Sequence, residues 1–441
     1  MKFYKDKNEL DTLLSGVVEI SEGKVSIIDK EKIRERLIDS LVYNSVFNKD
    51  PNLRKVTRSL IREIGTYFGI VPSSIHSFYL EKGKGKYLNM TVPAINIRGL
   101  TYDIARAVFS SAKKLDVGAF IFEIARSEME YTEQAPDEYA CVVIGAGIKE
   151  GFSGPLFIQG DHFQIRKRLP NDIENLKVLM KESIDAGFYN IDLDTSVLVD
   201  LGKLGVYEQQ RPNFEAAAIL CSYIRDIEPE GITISLGGEI GEIGGKNSTE
   251  EELREYMRGF LNSLPEGKIG ISKMAVQTGT VHGGIPLPDG GVADVALDFE
   301  TLAHLSSICK EYGLAGTVQH GASTLPIELF DKFPETDTAE VHLATEFQNM
   351  VYELIPDELS ERIYSYLKEA CASERKETET ETQFIYKTRK KAFGPFKKDF
   401  WNLSEDIRKN IREKLADKFS IIFERLKVSN TREIIQSTVC S

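Results

Sequence analysis

The sequence holds no apolar run approaching the roughly 20 residues that a membrane span requires, so no membrane partner is expected. Positive charge is also short: 55 lysines and arginines face 68 aspartates and glutamates, a formal net charge of −13 over 441 residues. That balance argues against a nucleic-acid partner held through many phosphate contacts. A local site can still oppose the global sign and take a small anion. Cysteine is sparse. Cys141, Cys221, Cys309, Cys371 and Cys440 are odd in number and lack C-x-x-C spacing, which reads as reduced, buried thiols and not as a disulfide framework or a zinc finger. The opening segment MKFYKDKNELDTLL is charged where a secretory leader is apolar, and a cytoplasmic location is expected.

What is present is a regular alternation. From about Met90 to Thr345, short β-branched runs alternate with longer helical patterns. The runs begin at Met90, Ala119, Leu156 and Tyr189, and continue from Thr233, Met274, Gly316 and Glu340. Between them lie stretches with apolar residues at three- and four-residue spacing. DIENLKVLMKESIDAG stops at Gly187, and STEEELREYMRGFLNSL opens on Ser248 or Thr249 with acids behind, a fit to helix stop and start signals. Eight β/α units of this length suit a (β/α)8 TIM barrel with helical N- and C-terminal extensions. A doubly wound open sheet shares the alternation, and the placement of polar residues favours the barrel. The expected divisions are residues 1–88, a helical extension; 89–346, the barrel; and 347–441, a mostly helical extension broken by the polar stretch ASERKETETET.

Histidine is scarce, six in all, which makes its placement informative. His162, His282 and His320 each sit at the C-terminal end of a predicted strand, the face on which a barrel builds its active site. Three imidazoles with an open fourth position suit a catalytic zinc ion. His76 and His304 read as structural. Asp161, Asp194 and Glu239 reach the same face, where a carboxylate can move protons or orient a metal-bound imidazole. Gly283, Gly321, Ser323 and Thr345 supply bare backbone N–H groups and hydroxyls for an anion, after the strands where this fold binds phosphate.

These segments resemble the class II, metal-dependent fructose-bisphosphate and tagatose-bisphosphate aldolases over roughly Val92 to Thr345. VPAINIRGL resembles the family's opening strand and loop, with Asn96 toward substrate. Gly160-Asp161-His162 resembles its Asp-His motif, which implies Asp161 as acid/base and His162 as a zinc ligand. By the same resemblance Asp194 in AGFYNIDLDTS and Glu239 in GGEIGEIGG lie at the metal. His282 in TGTVHGG and His320 in VQHGAST complete the ligands, and Gly283, Gly321, Ser323 and Thr345 bind phosphate. The implied reaction is zinc-assisted cleavage of a ketose bisphosphate, fructose 1,6-bisphosphate first, to dihydroxyacetone phosphate and an aldehyde. A homodimer or larger homo-oligomer is implied too.

Three departures bear on the substrate. The acidic loop that follows the family's Glu block is here Gly245-Lys246-Asn247-Ser248, which leaves the carbon base unassigned, with Glu242 or an extension residue as substitutes. The asparagine that contacts the reacting substrate on strand eight is here His342, and the extensions lie outside the common barrel. A tagatose-bisphosphate or other phosphorylated-ketose aldolase, or a silent aldolase-like subunit, are the alternatives; the retained His282 and His320 argue against silence. Lys273 precedes strand six, where a Schiff-base lysine could sit, but that would leave the histidines unexplained. YKTRKKAFGPFKKDFW concentrates Lys387, Arg389, Lys390, Lys391, Lys397 and Lys398, and is read either as a solvated basic loop or as a segment that brings Arg389 and Lys390 over the barrel mouth to a second phosphate.

Overall fold

A computed structural model describes residues 3–21, 24–166, 171–241, 246–279 and 297–439. Among the described residues eleven strands run in chain order: β1 Val18–Ser21, β2 Lys24–Ile27, β3 Ile70–Ser73, β4 Val92–Asn96, β5 Ile121–Ala125, β6 Gly154–Gln164, β7 Asn190–Asp194, β8 Ser235–Glu239, β9 Lys273–Ala275, β10 Thr317–Gln319 and β11 Glu340–Leu343. Strands β4 to β11 are all parallel to their neighbours. The order β6-β5-β4-β11-β10-β9-β8-β7, with β7 pairing back onto β6, closes a barrel of eight. The open sheet is thereby excluded. Both faces of these strands are covered, which is why β4 (VPAIN) and β5 (IFEIA) are buried at every position and read as continuous apolar runs.

The crossover helices follow their sequence signals. Thr249 caps helix Glu250–Ser263, accepting from the Glu252 N–H while the Glu252 carboxylate accepts from the Thr249 N–H. Asp298 caps Phe299–Glu311 through the Thr301 N–H at 2.9 Å. Gly187 closes Asp172–Asp185 at φ +96°, a conformation in which a side chain would be strained.

The extensions are built into this frame. β1 and β2 form an antiparallel hairpin within a region that reads as helical. β3 joins the barrel sheet, parallel to the first half of β6 (Ile70↔Gly154, Ser73↔Phe157), on the edge that β7 takes up two residues later. The Asn190 side chain bridges the changeover: its amide donates to Ser73 O and Ile158 O, and its carbonyl accepts from the Ile75 N–H at 2.9 Å. Helix Glu405–Arg425 lies along Thr101–Lys114, where Asp103, buried, is paired with Arg408 and Arg412. Among the described residues no helix is long and apolar enough to cross a membrane. Cys141, Cys221, Cys309 and Cys371 are free and buried, as expected; Cys440 lies outside the described residues.

Candidate active site

The C-terminal ends of the strands enclose a cavity of about 430 Å³ whose wall includes Asn96, Asp161, His162, His320 and His342. Strict alternation would send Asp161 and His162 to opposite faces of β6. A bulge prevents this. Gly160 pairs with Ile191 and Phe163 with Leu193, so two β6 residues oppose the single Asp192, and His162 takes φ +41°. Both side chains then face the cavity. Gly160 is required because the buried Phe163 ring folds over it: a Cβ there would lie 2.5 Å from that ring. Gly160→Ala is expected to cost about 1–3 kcal/mol by overpacking and to open the bulge, read as a lowered urea midpoint together with reduced metal content.

His162 is held on two sides. Its Nδ1 lies 3.0 Å from Asp194 Oδ2 and 3.4 Å from Glu239 Oε2, and its Nε2 lies 3.6 Å from Asp161 Oδ1. The His320 ring is centred 4.2 Å from that of His162 and 4.3 Å from that of His342. His342 Nδ1 faces Asp161 at 3.2 Å and Glu123 at 3.1 Å, while its Nε2 meets Glu340 at 2.6 Å. Two overlapping groups, His162–Glu239–His320 and Asp161–His320–His342, each present ligand atoms within 4.8 Å of one another. Asp194 stands behind them, fixed by Ser196 at 2.7 Å and Gln164 at 2.6 Å, so that it orients His162 instead of joining the converging atoms.

The remaining sequence candidates are distributed unevenly. Gly321 (φ +70°) starts the turn Ala322–Thr324, which places Ser323 on the wall, and Thr345 begins helix Thr345–Leu354, whose Glu346 N–H donates to Ser323 Oγ at 3.4 Å. His282, Gly283, Glu242 and Gly245 lie outside the described residues. Lys246 pairs with Glu252 at 3.1 Å, and Asn247 donates to Asp298 at 3.0 Å. The basic segment does reach the mouth, through Lys387 and Lys390. Arg389 is not on the wall: its guanidinium donates to Asn349 and stacks on Tyr386 and Tyr352.

A polar layer beneath the cavity was not among the expected features. Lys273, fully buried, donates to Gln159 at 2.7 Å and to Glu340, with Asp192 at 2.9 Å. Gln159 donates in turn to Glu123 and Glu340, and the Tyr79 hydroxyl of helix His76–Gly83 donates to Glu340. Burial opposes the charge on Lys273, but Asp192 and Glu340 more than offset this and hold its pKa above the usual lysine range. An ammonium encased by Asp192 and Glu340, which favour its charge, is poorly suited to act as a Schiff-base nucleophile. The signal for this layer was in the alternation: Asp192 and Asp194, and Glu340 and His342, are two apart and share a face. Glu128 was also missed. Its carboxylate accepts from Asn96 Nδ2 at 2.6 Å and Arg98 Nε at 2.7 Å, fixing both at the mouth.

Among the described residues six carboxylates are gathered here: Asp161, Asp194 and Glu239 around His162, Glu123 at His342, and Asp192 and Glu340 on Lys273. Burial, and then Asp194, pushes Glu239 up to about 7. Burial also opposes a charge on His162, yet Asp161 and Glu239 raise its pKa well above the usual value; Glu123 and Asp161 do the same for His342. Such a surplus of buried negative charge draws protons onto the imidazoles unless a cation takes their place.

The fold is shared with known proteins. The fold resembles a fructuronate–tagaturonate epimerase from Cohnella laeviribosi (TM-score 0.60, 13% identity, 94% of this chain and 90% of that one). It resembles a probable tagatose 6-phosphate kinase from Sinorhizobium meliloti 1021 (TM-score 0.56, 15% identity, 78% and 100%) and an aldolase from Escherichia coli K12 (0.50, 10%, 82% and 99%). No protein of curated function matches the sequence significantly. Residues 83–421 match the family described as fructose-bisphosphate aldolase class-II, and the chain belongs to that family.

Proposed function

We propose that this protein is a divalent-metal-dependent aldolase, with zinc as the metal and a phosphorylated ketose, fructose 1,6-bisphosphate first, as the substrate. The observation that carries the reading is the convergence of His162, Glu239 and His320 at the acidic inner end of the cavity, where the barrel strands end. The donor set fits: two imidazoles and a carboxylate form a ligand set that suits catalytic zinc, and the charge surplus favours a dication. His162, Glu239 and His320 would hold it, with His282 as the further ligand implied by sequence. When bound, the metal supplies a Lewis acid for the substrate carbonyl.

The chain's own groups do the rest. Asp161, held by His342 Nδ1 at 3.2 Å and Asn96 Nδ2 at 3.3 Å, is placed to take the proton from the hydroxyl that becomes the aldehyde as the adjacent carbon–carbon bond breaks. Ser323, Thr345 and the N–H groups following Gly321 suit the phosphate. Asp161→Asn keeps the shape and removes the base; kcat is expected to fall about 10²–10⁴-fold while metal content is retained, measured by coupled detection of triose phosphate. An unchanged kcat would remove Asp161 from the reaction. We place the enzyme in the cytoplasm, as a homodimer or larger assembly.

A second reading is epimerisation of a ketose acid in the same cavity. It is favoured by the likeness to the epimerase, which spans 94% of this chain and so includes the extensions. Product analysis separates the two, since only cleavage changes the carbon count.

A further inference from the structure

The inner end of the cavity is acidic; its outer end is basic. Five cationic side chains line the wall there, and four are already paired: Arg98 with Glu128, Arg126 with Asp172, Arg166 with Glu130, and Lys387 with Glu379. Lys390 is different. Among the described residues its ammonium has no carboxylate or carbonyl partner, and it lies over the Tyr131 ring at 5.8 Å. Its neighbour Lys391 takes Glu374 at 2.7 Å, so the nearest acid of the C-terminal extension is spent elsewhere. Burial, and then the adjacent Arg98 guanidinium, hold its pKa below the usual lysine range. Glu128, bound to Arg98, and Glu374 offset this only in part, so one carboxylate is shared by two cations half-withdrawn from water and a further anion between them is favoured.

Arg98 connects this point to the hydroxyls already described. Its Nη1 lies 3.4 Å from Thr345 Oγ1 and 3.1 Å from Gln348 Oε1. Glu128 takes its Nε and Gln348 its Nη1, which fixes the guanidinium plane and leaves Nη2 as the donor for an oxyanion that Thr345 and Lys390 can share.

We infer that Lys390 and Arg98 form an oxyanion clamp for the terminal phosphate or carboxylate of the substrate, so that the C-terminal extension completes the site within the same chain. The inference rests on the reading of the cavity as a sugar site, and its test needs no turnover. Binding of inorganic phosphate, and separately of acetate, is measured by calorimetry at constant ionic strength on the full chain as purified, with metal content matched across variants. The wild type is expected to bind one of the two. Lys390→Met, which keeps the packing on Tyr131, should weaken that binding about tenfold or more. Lys390→Arg should restore it, and Lys391→Met should match the wild type. Phosphate binding that depends on Lys390 identifies a sugar phosphate; acetate binding that depends on it identifies a sugar acid. Either upholds the clamp. Equal affinity in Lys390→Met and wild type, or binding of neither anion, overturns it. If aldol cleavage is absent while the Lys390-dependent binding stands, the aldolase assignment falls and the clamp does not.

Discussion

His320→Ala is expected to abolish bound metal and to lower kcat/KM on the order of a thousandfold or more, with the fold retained. The size follows from position. His320 belongs to two of the three groups of converging ligand atoms among the described residues, and its ring lies against those of His162 and His342. Lewis-acid polarisation of a carbonyl contributes several kcal/mol to the transition state, and each 1.4 kcal/mol is about tenfold in rate. Asp194→Asn gives the contrast. Asp194 orients His162 through its Nδ1, and loss of an orienting group costs about 10–100-fold. Metal analysis of both variants, with circular dichroism as the folding control, checks the ordering. Equal metal content in His320→Ala and wild type would remove His320 from the ligand set.

The largest effect on stability is expected from Lys273→Met, about 3–5 kcal/mol, since breaking a buried ion pair strands its partners. Lys273 is the ammonium between Asp192 and Glu340, and both it and Glu340 are fully buried. Burial pushes the Glu340 carboxyl up, but Lys273, with help from His342, more than reverses this and holds it below the usual range. A carboxylate with a depressed folded pKa stabilises above its unfolded pKa and loses that contribution as pH falls. The gap between wild type and Lys273→Met is therefore expected to be widest near neutrality and to narrow as pH drops through the ordinary glutamate range near about 4.5. Urea titrations at several pH values read this directly. Lys273→Met/Glu340→Gln should recover part of the loss, and a single variant as stable as wild type would show that the carboxylates do not need the lysine.

All eight barrel strands were legible because parallel strands covered on both faces are short runs rich in apolar and β-branched residues, each followed by a helical pattern. β3 was not legible. It contains Pro72 and spans four residues, and the Asn190 side chain, 117 positions further along the chain, completes its junction with the barrel. Nor could the sequence show that Asp161 and His162 share a face, since the bulge that turns them depends on Phe163 folding over Gly160. Of the two residues that one reading of the basic segment carried to the mouth, Lys390 is on the wall and Arg389 is not. Arg389–Ala392 is a single 3₁₀ turn, in which neighbours point about 120° apart. Arg389 therefore packs between Tyr352 and Tyr386 while Lys390 faces the cavity. The polar layer around Lys273 shows the same limit, because three carboxylates from β5, β7 and β11 meet only when the barrel closes.

The central claim, metal-assisted aldol cleavage, is tested most directly by assaying the purified protein on fructose 1,6-bisphosphate with coupled triose-phosphate detection, before chelation, after it, and with zinc restored. Activity that is lost to the chelator and returns with zinc is the expected result. Activity that survives complete removal of metal would contradict the account, since Lys273 is encased by carboxylates and the described residues lining the cavity would have to act with no Lewis acid.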